Sequence, residues 1–134
     1  MVSDAAALVN LVSLMPFAES LGITLSAAER DQVTGSMAWA PERCTTGGIL
    51  HGGSLMAFAD SVGAVCAFLN LPEGAGTSTI ESKSNFFRGV STGSVMATAR
   101  PVHVGGRTIV VQTELRDDAD KLVALVTQTQ AVLR

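Results

Sequence analysis

The stretch from Gly52 to Pro72 constrains this chain more than any other, because it is apolar nearly all round and Asp60 is its one charge. The run SLMAFADSVGAVCAFLNL reads as a helix, and a helix without a polar face is buried on most of its sides. At 1.5 Å per residue it spans about 27 Å. Its small residues Ala57, Ala59, Ser61, Gly63 and Ala64 let a sheet close tightly around it. Leu71-Pro72-Glu73-Gly74 marks the end.

The second half supplies that sheet. Residues 77–87, 94–104, 107–117 and 121–133 each read as extended. Gly105-Gly106 is a two-residue hairpin signal between the second and third, and Asp117-Asp118-Ala119-Asp120 is a polar turn between the third and fourth. Pro101 removes a ladder bond and predicts a bulge or an edge. In the last strand Val123, Leu125, Thr127, Thr129, Ala131 and Leu133 line one face. Upstream, residues 31–40 alternate, with Val33, Gly35, Met37 and Trp39 opposite Thr34, Ser36 and Ala38, as in a half-buried strand. Residues 23–25 form a short strand. The first 18 residues read as one amphipathic helix with Leu8, Leu11, Val12 and Met15 on one face, Asp4 in its first turn, and Pro16 and Gly22 ending it. One sheet around one apolar helix is an α+β architecture.

Composition narrows the function classes. A chain of 134 residues is one domain, and 47% hydrophobic against 16% charged residues excludes disorder. Nine Lys and Arg, scattered in a chain of net charge −3, supply no basic stripe, so no nucleic-acid partner is expected. Cys44 and Cys66 form no C-x-x-C pair; no metal site is expected, and two reduced thiols in a cytoplasmic protein are the plain reading. Asp4 stands where a signal peptide needs Lys or Arg, and the uncharged residues 5–18 are too few to span a bilayer, so no membrane association is expected. Helix and sheet together are more apolar than a lone chain of this size needs, which points to self-association.

Two places can carry chemistry. Gly47-Gly48-Ile49-Leu50-His51-Gly52-Gly53 leads into the long helix, where unpaired N–H groups and partial positive charge suit an oxyanion. His51 there is either a helix cap in a tight turn or part of a site. Asp60 is a lone carboxylate on a buried helix: either an edge residue satisfied by a neighbouring hydroxyl, or a nucleophile or general base. Gly89-Val90-Ser91-Thr92-Gly93 has the G-x-S-x-G form, but a strand follows rather than a helix, so it is a connecting turn. His103 reads as a partly exposed strand residue. Arg88 and Arg107 are solvated charges or phosphate ligands. Phe58, Phe68, Phe86 and Phe87 are core residues or the walls of an acyl pocket.

The segments H51-G-G-S-L-M-A-F-A-D60, T79-I-E-S-K-S-N-F-F-R88 and V102-H-V-G-G-R107 resemble the PaaI-like branch of the hotdog-fold acyl-CoA thioesterases. The resemblance runs from about residue 33 to the C-terminus, which makes 33–134 the core and 1–20 an added N-terminal helix. It implies an antiparallel sheet wrapped around the helix, a homodimer or homotetramer, and an active site between subunits. Gly52 N–H would polarise the thioester carbonyl and His51 would position that end of the site. Asp60 of the facing subunit would act as nucleophile or as base for water, with Thr79 orienting that water. Thr45, Gly53, Asn85, Phe86, Arg88, Gly106 and Arg107 would bind the acyl-CoA substrate; coenzyme A enters as part of that substrate and no separate cofactor is implied. Two residues depart from the family pattern: Thr45 stands where Asn or Gln is usual, and Gly89 where Pro is common. Thr45 supports the alternative of an acyl-CoA binder or sensor without turnover. A hotdog hydratase would need a His shortly after Asp60, and positions 61–70 hold none.

Overall fold

The apolar run folds as a single helix, Gly52–Leu69, here α3. It belongs to a computed structural model that describes residues 4–134. Asn70 stops the helix before the Leu71-Pro72 signal. Its side-chain amide donates to the carbonyls of Cys66 and Arg30, both at 2.8 Å. Phe58, Ala59, Val62 and Cys66 are completely buried, and full burial of side chains such as Phe58 and Val62 stabilises by about 2 kcal/mol each.

Ahead of α3 lie helices α1 (Ala5–Ser13) and α2 (Pro16–Ser20) and strands β1 (Thr24–Ala28) and β2 (Val33–Ala38). After it come β3 (Gly76–Phe86), β4 (Ser94–Val104), β5 (Thr108–Arg116) and β6 (Leu122–Leu133). All six strands form one antiparallel sheet, ordered β1-β2-β4-β5-β6-β3, and each of them touches α3. The architecture is therefore the one sheet around one helix that the sequence implies. β3 does not pair with its successor but crosses to the far edge beside β6. Its polar composition, with Glu81 and Lys83 exposed, suits an edge.

Several boundaries differ from expectation. The N-terminal helix is broken: α1 ends at Ser13, and Pro16 starts α2 in the first helical position that proline favours. Asp4 caps α1 rather than sitting within it, its Oδ1 accepting from Ala6 N–H at 3.0 Å; residues 1–3 of the expected helix lie outside the described residues. The first strand begins at Thr24 and runs to Ala28, since its pairing with β2 extends that far. The β4–β5 turn is Gly106-Arg107, closed by Gly105 N–H donating to Thr108 C=O at 2.9 Å. Neither Gly105 nor Gly106 takes a positive φ, so this is not the primed turn that a glycine pair favours. Pro101 does coincide with a bulge, between Pro101 and His103 opposite β5.

Two features of the sheet place the site. On β6 the buried, helix-facing residues are Ala124, Val126, Gln128 and Gln130; Leu125, Thr127, Thr129 and Ala131 point away and are half-buried. On β3 a bulge falls between Thr79 and Glu81. Thr77 and Thr79 face α3 before it, and Phe86 packs on α3 after it, so the bulge switches which parity of residue faces the helix.

Candidate active site

The loop before α3 is fastened from three sides. Trp39 Nε1 donates to Gly48 C=O at 2.8 Å, Arg43 Nη1 to Ala38 C=O at 2.7 Å, and Leu50 N–H to Val90 C=O at 2.9 Å. The Arg43 carbonyl in turn accepts from His51 N–H at 2.9 Å and from Ser54 Oγ at 3.0 Å. This fixes the first turn of the helix. His51 is its cap: Nδ1 accepts from Gly53 N–H at 2.7 Å, which leaves the ring proton on Nε2. Ser54 and Leu55 N–H both donate to the His51 carbonyl. Of the first-turn donors only Gly52 N–H is without a partner among the described residues. Beside it lies Phe86, whose Cζ is 3.3 Å from where a Cβ on residue 52 would be.

Asp60 is half-buried, and its Oδ1 takes two hydrogen bonds, from Thr79 Oγ1 at 3.0 Å and from Gln128 Nε2 at 3.1 Å. Gln130 Nε2 donates to Thr79 Oγ1 at 2.7 Å. Thr77 Oγ1 shares its proton between Gln130 Oε1 at 3.1 Å and the Ala131 carbonyl at 2.8 Å. Oδ2 of Asp60 has no partner among the described residues and is not enclosed. The carboxylate is thus satisfied by a neighbouring hydroxyl, as an edge residue would be, while one oxygen stays open for chemistry.

Gly52 and Asp60 lie about 12 Å apart along the axis of one helix. A single thioester carbonyl cannot touch both within one protomer. The other expected residues divide in the same way. Asn85 and Phe86 pair with Leu125 and Ala124 near one end of β6, whereas Gly106 and Arg107 lie at the turn beside Val132 at the other, about 25 Å away. Asn85, Arg88 and Arg107 are exposed, and Phe86 shares the α3-facing side with Gly52. Thr45 is exposed and is held by its main chain, N–H to Ile49 C=O at 2.8 Å. Gly53 has its N–H occupied by His51.

The sequence reading did not single out Gln128 or Gln130. Their signal was there, two glutamines alternating with Ala124 and Val126 on what becomes the inner face, but which face of β6 turns inward is decided by the pairing with β3 and β5. Among the described residues no group of His, Cys, Asp and Glu is arranged to hold a metal ion.

The comparisons with known proteins point to one superfamily and one fold. The family model of the thioesterase superfamily matches residues 47–124. A Pasteurella multocida protein named as an esterase is 32% identical over 123 residues, which cover 92% of this chain and 88% of that one. The 1,4-dihydroxy-2-naphthoyl-CoA hydrolase of Escherichia coli is 31% identical over 86 residues, 64% of this chain and 63% of its own. The crystal structure of a thioesterase from Haemophilus influenzae superposes with a TM-score of 0.89 at 30% identity, covering 95% of this chain and 90% of the other.

Proposed function

Because this chain belongs to the thioesterase superfamily and has its hotdog fold, we propose that it hydrolyses a thioester of coenzyme A at a site shared between two copies of the chain. The observation that carries the proposal is the pair of open groups on α3: one unpartnered N–H at Gly52 and one open carboxylate oxygen at Asp60, too far apart to serve one carbonyl unless a second subunit brings its own helix alongside. Open apolar surface supports that pairing. Met56 and Phe68 on α3, with Ile80, Phe86 and Phe87 on and just after β3, are exposed in the single chain.

The chemistry follows from the donor set. Gly52 N–H donates to the oxygen of the thioester as negative charge develops there, in a turn that His51 and the Arg43 carbonyl hold rigid. Asp60 of the facing copy supplies the carboxylate, which either takes the proton of an attacking water or attacks the carbonyl carbon itself. With water, the O–C bond forms, the tetrahedral oxyanion collapses, the C–S bond breaks, and the proton held by Asp60 passes to the leaving thiolate. The products are the free acid and coenzyme A. A thiolate leaves readily, so no serine triad is needed. Arg88, Asn85 and Phe86 of one copy and Gly106 and Arg107 of the other hold the coenzyme A portion. The coenzyme A thioester named as the substrate of the Escherichia coli relative supports this substrate class.

The test is release of coenzyme A from a panel of acyl- and aryl-CoA thioesters, with Asp60→Asn as control. Cleavage by wild type and loss in the variant are expected; no cleavage of any thioester, or a variant as active as wild type, overturns the reading. Attack by Asp60 would release the thiolate and leave an acyl–aspartyl anhydride for water to open, so label on Asp60 after a single turnover in H₂¹⁸O, or capture of the anhydride by hydroxylamine, identifies the nucleophile, and a general base gives neither. Thr45, standing where Asn or Gln is usual and exposed with no side-chain hydrogen bond among the described residues, favours a second reading, a binder without turnover, which measurable binding of a CoA ester without hydrolysis would establish.

A further inference from the structure

Gln128 and Gln130 are buried polar side chains in a face otherwise built of Ala and Val, where an apolar residue would avoid the cost of desolvation. Their hydrogen bonds converge on one carboxylate. We propose that Gln128 and Gln130 are positioning residues that orient Asp60 so that Oδ2, and not Oδ1, is the oxygen that meets the substrate. The proposal rests on the reading of Asp60 as the reacting carboxylate.

The direction of each bond carries the inference. An amide N–H can only donate, so the 2.7 Å bond from Gln130 Nε2 occupies an acceptor position on Thr79 Oγ1. The Thr79 proton is thereby directed to Asp60 Oδ1, and Thr79 orients the carboxylate rather than donating to a water. The amide of Gln130 is set by Thr77, whose hydroxyl approaches Oε1 at 3.1 Å. Gln128 arrives by a separate route. Its Nε2 reaches Oδ1 at 3.1 Å, while its Oε1 is buried against Gly63 without a partner among the described residues. Turning this amide round would aim a carbonyl oxygen at a carboxylate, so the charge of Asp60 selects the observed orientation. A charge-assisted bond to Asp60 offsets the unpartnered acceptor. With two donors on Oδ1, the carboxyl group cannot rotate without breaking both, and Oδ2 is left open.

A double-mutant cycle on turnover tests the relay. Gln130→Met and Gln128→Met keep the volume and remove the donor. Each is expected to lower kcat about tenfold with KM changed less than about twofold. Because Gln130 acts through Thr79, Gln130→Met should cost less than about twofold in a Thr79→Val background, whereas Gln128→Met should keep its full effect there. Thr79→Ser, which retains the hydroxyl, should retain most of the rate. Equal losses from Gln130→Met in both backgrounds overturn the relay. A readout that needs no turnover covers variants that fold poorly and a wild type that cleaves nothing. The side-chain NH₂ resonances of Gln128 should move upfield in Asp60→Ala while the Gln130 resonances respond less. Unmoved Gln128 resonances overturn the positioning claim, and absence of thioester cleavage in the wild type overturns only the proposed activity.

Discussion

Four N–H groups at the start of an α-helix lie outside its i→i−4 ladder, and in α3 His51 N–H is bonded to Arg43 C=O and those of Gly53 and Ser54 to His51, so the one at Gly52 can be tested alone. Gly52→Pro deletes that N–H at a position where proline suits a helix, and His51 already has the extended ψ of 137° that a residue before proline needs. Gly52→Ala keeps the N–H but adds the same Cβ, which presses on Phe86 in both variants. The proline variant should lose about 10²–10³ in kcat, the worth of one oxyanion donor, and the alanine variant far less. Steady-state kinetics on any cleaved CoA ester makes the comparison; equal losses in the two would assign the effect to Phe86 instead. For Asp60→Asn the side-chain carbonyl can still accept from Thr79 and Gln128, but no carboxylate remains. A fall of about 10²–10⁴ in kcat is expected, with the melting temperature little changed.

At the scale of elements, α3 and β6 meet where Gly63 faces the Gln128 amide, and the three atoms nearest to a Cβ on residue 63 all belong to that side chain. Gly63→Ala should therefore destabilise by about 1–3 kcal/mol in urea unfolding, despite the better helix propensity of alanine. In a Gln128→Ala background the penalty should vanish, since the obstructing amide is gone. The extent to which such contacts can be read in advance follows from the period of each element. The apolar run around Asp60 and the alternation in β2, β4 and β5 announce their own burial, because local pattern and tertiary environment agree there. The Asp4 cap and the Pro16 break are local, set by capping and by the first-position preference of proline, whereas the β3 bulge depends on how the chain closes on itself. The bulge at residues 79–81 matters most, since Thr79 meets Asp60 and Phe86 meets Gly52 only because the parity of β3 changes between them. Gly52 at the start of α3 and the lone Asp60 marked the candidate site in the sequence; Gln128 and Gln130 did not, because a polar residue on a strand gives no sign of which face it occupies until the sheet is ordered.

For the whole molecule, the buried thiol of Cys66 makes stability depend on pH at the alkaline end. Burial first, and then the Asp31 carboxylate, pushes this thiol from 9.0 up to about 11. Between those values the unfolded chain has released the proton and the folded chain has kept it. The folded state binds more protons there, so stability falls as pH rises through this window, while below it the contribution is fully present. The urea midpoint should fall from about pH 8.5 to about pH 10.5, and the slope should be shallower in Cys66→Ala. The same slope in both proteins would remove Cys66 as the cause. The division of labour between copies of the chain yields a sharper result. If Asp60 acts on a carbonyl held by the Gly52 of a facing protomer, Asp60→Asn and Gly52→Pro chains are each inactive alone, but a mixed pair contains one intact site, made from the Asp60 of one and the Gly52 of the other. Random pairing makes half of the dimers mixed, each with one working site of two, so unfolding and refolding the two variants together should restore about one quarter of wild-type activity. Sites contained within one protomer would restore none, and the roughly 12 Å between the two groups on α3 would then have to be closed by a substrate reaching along the helix.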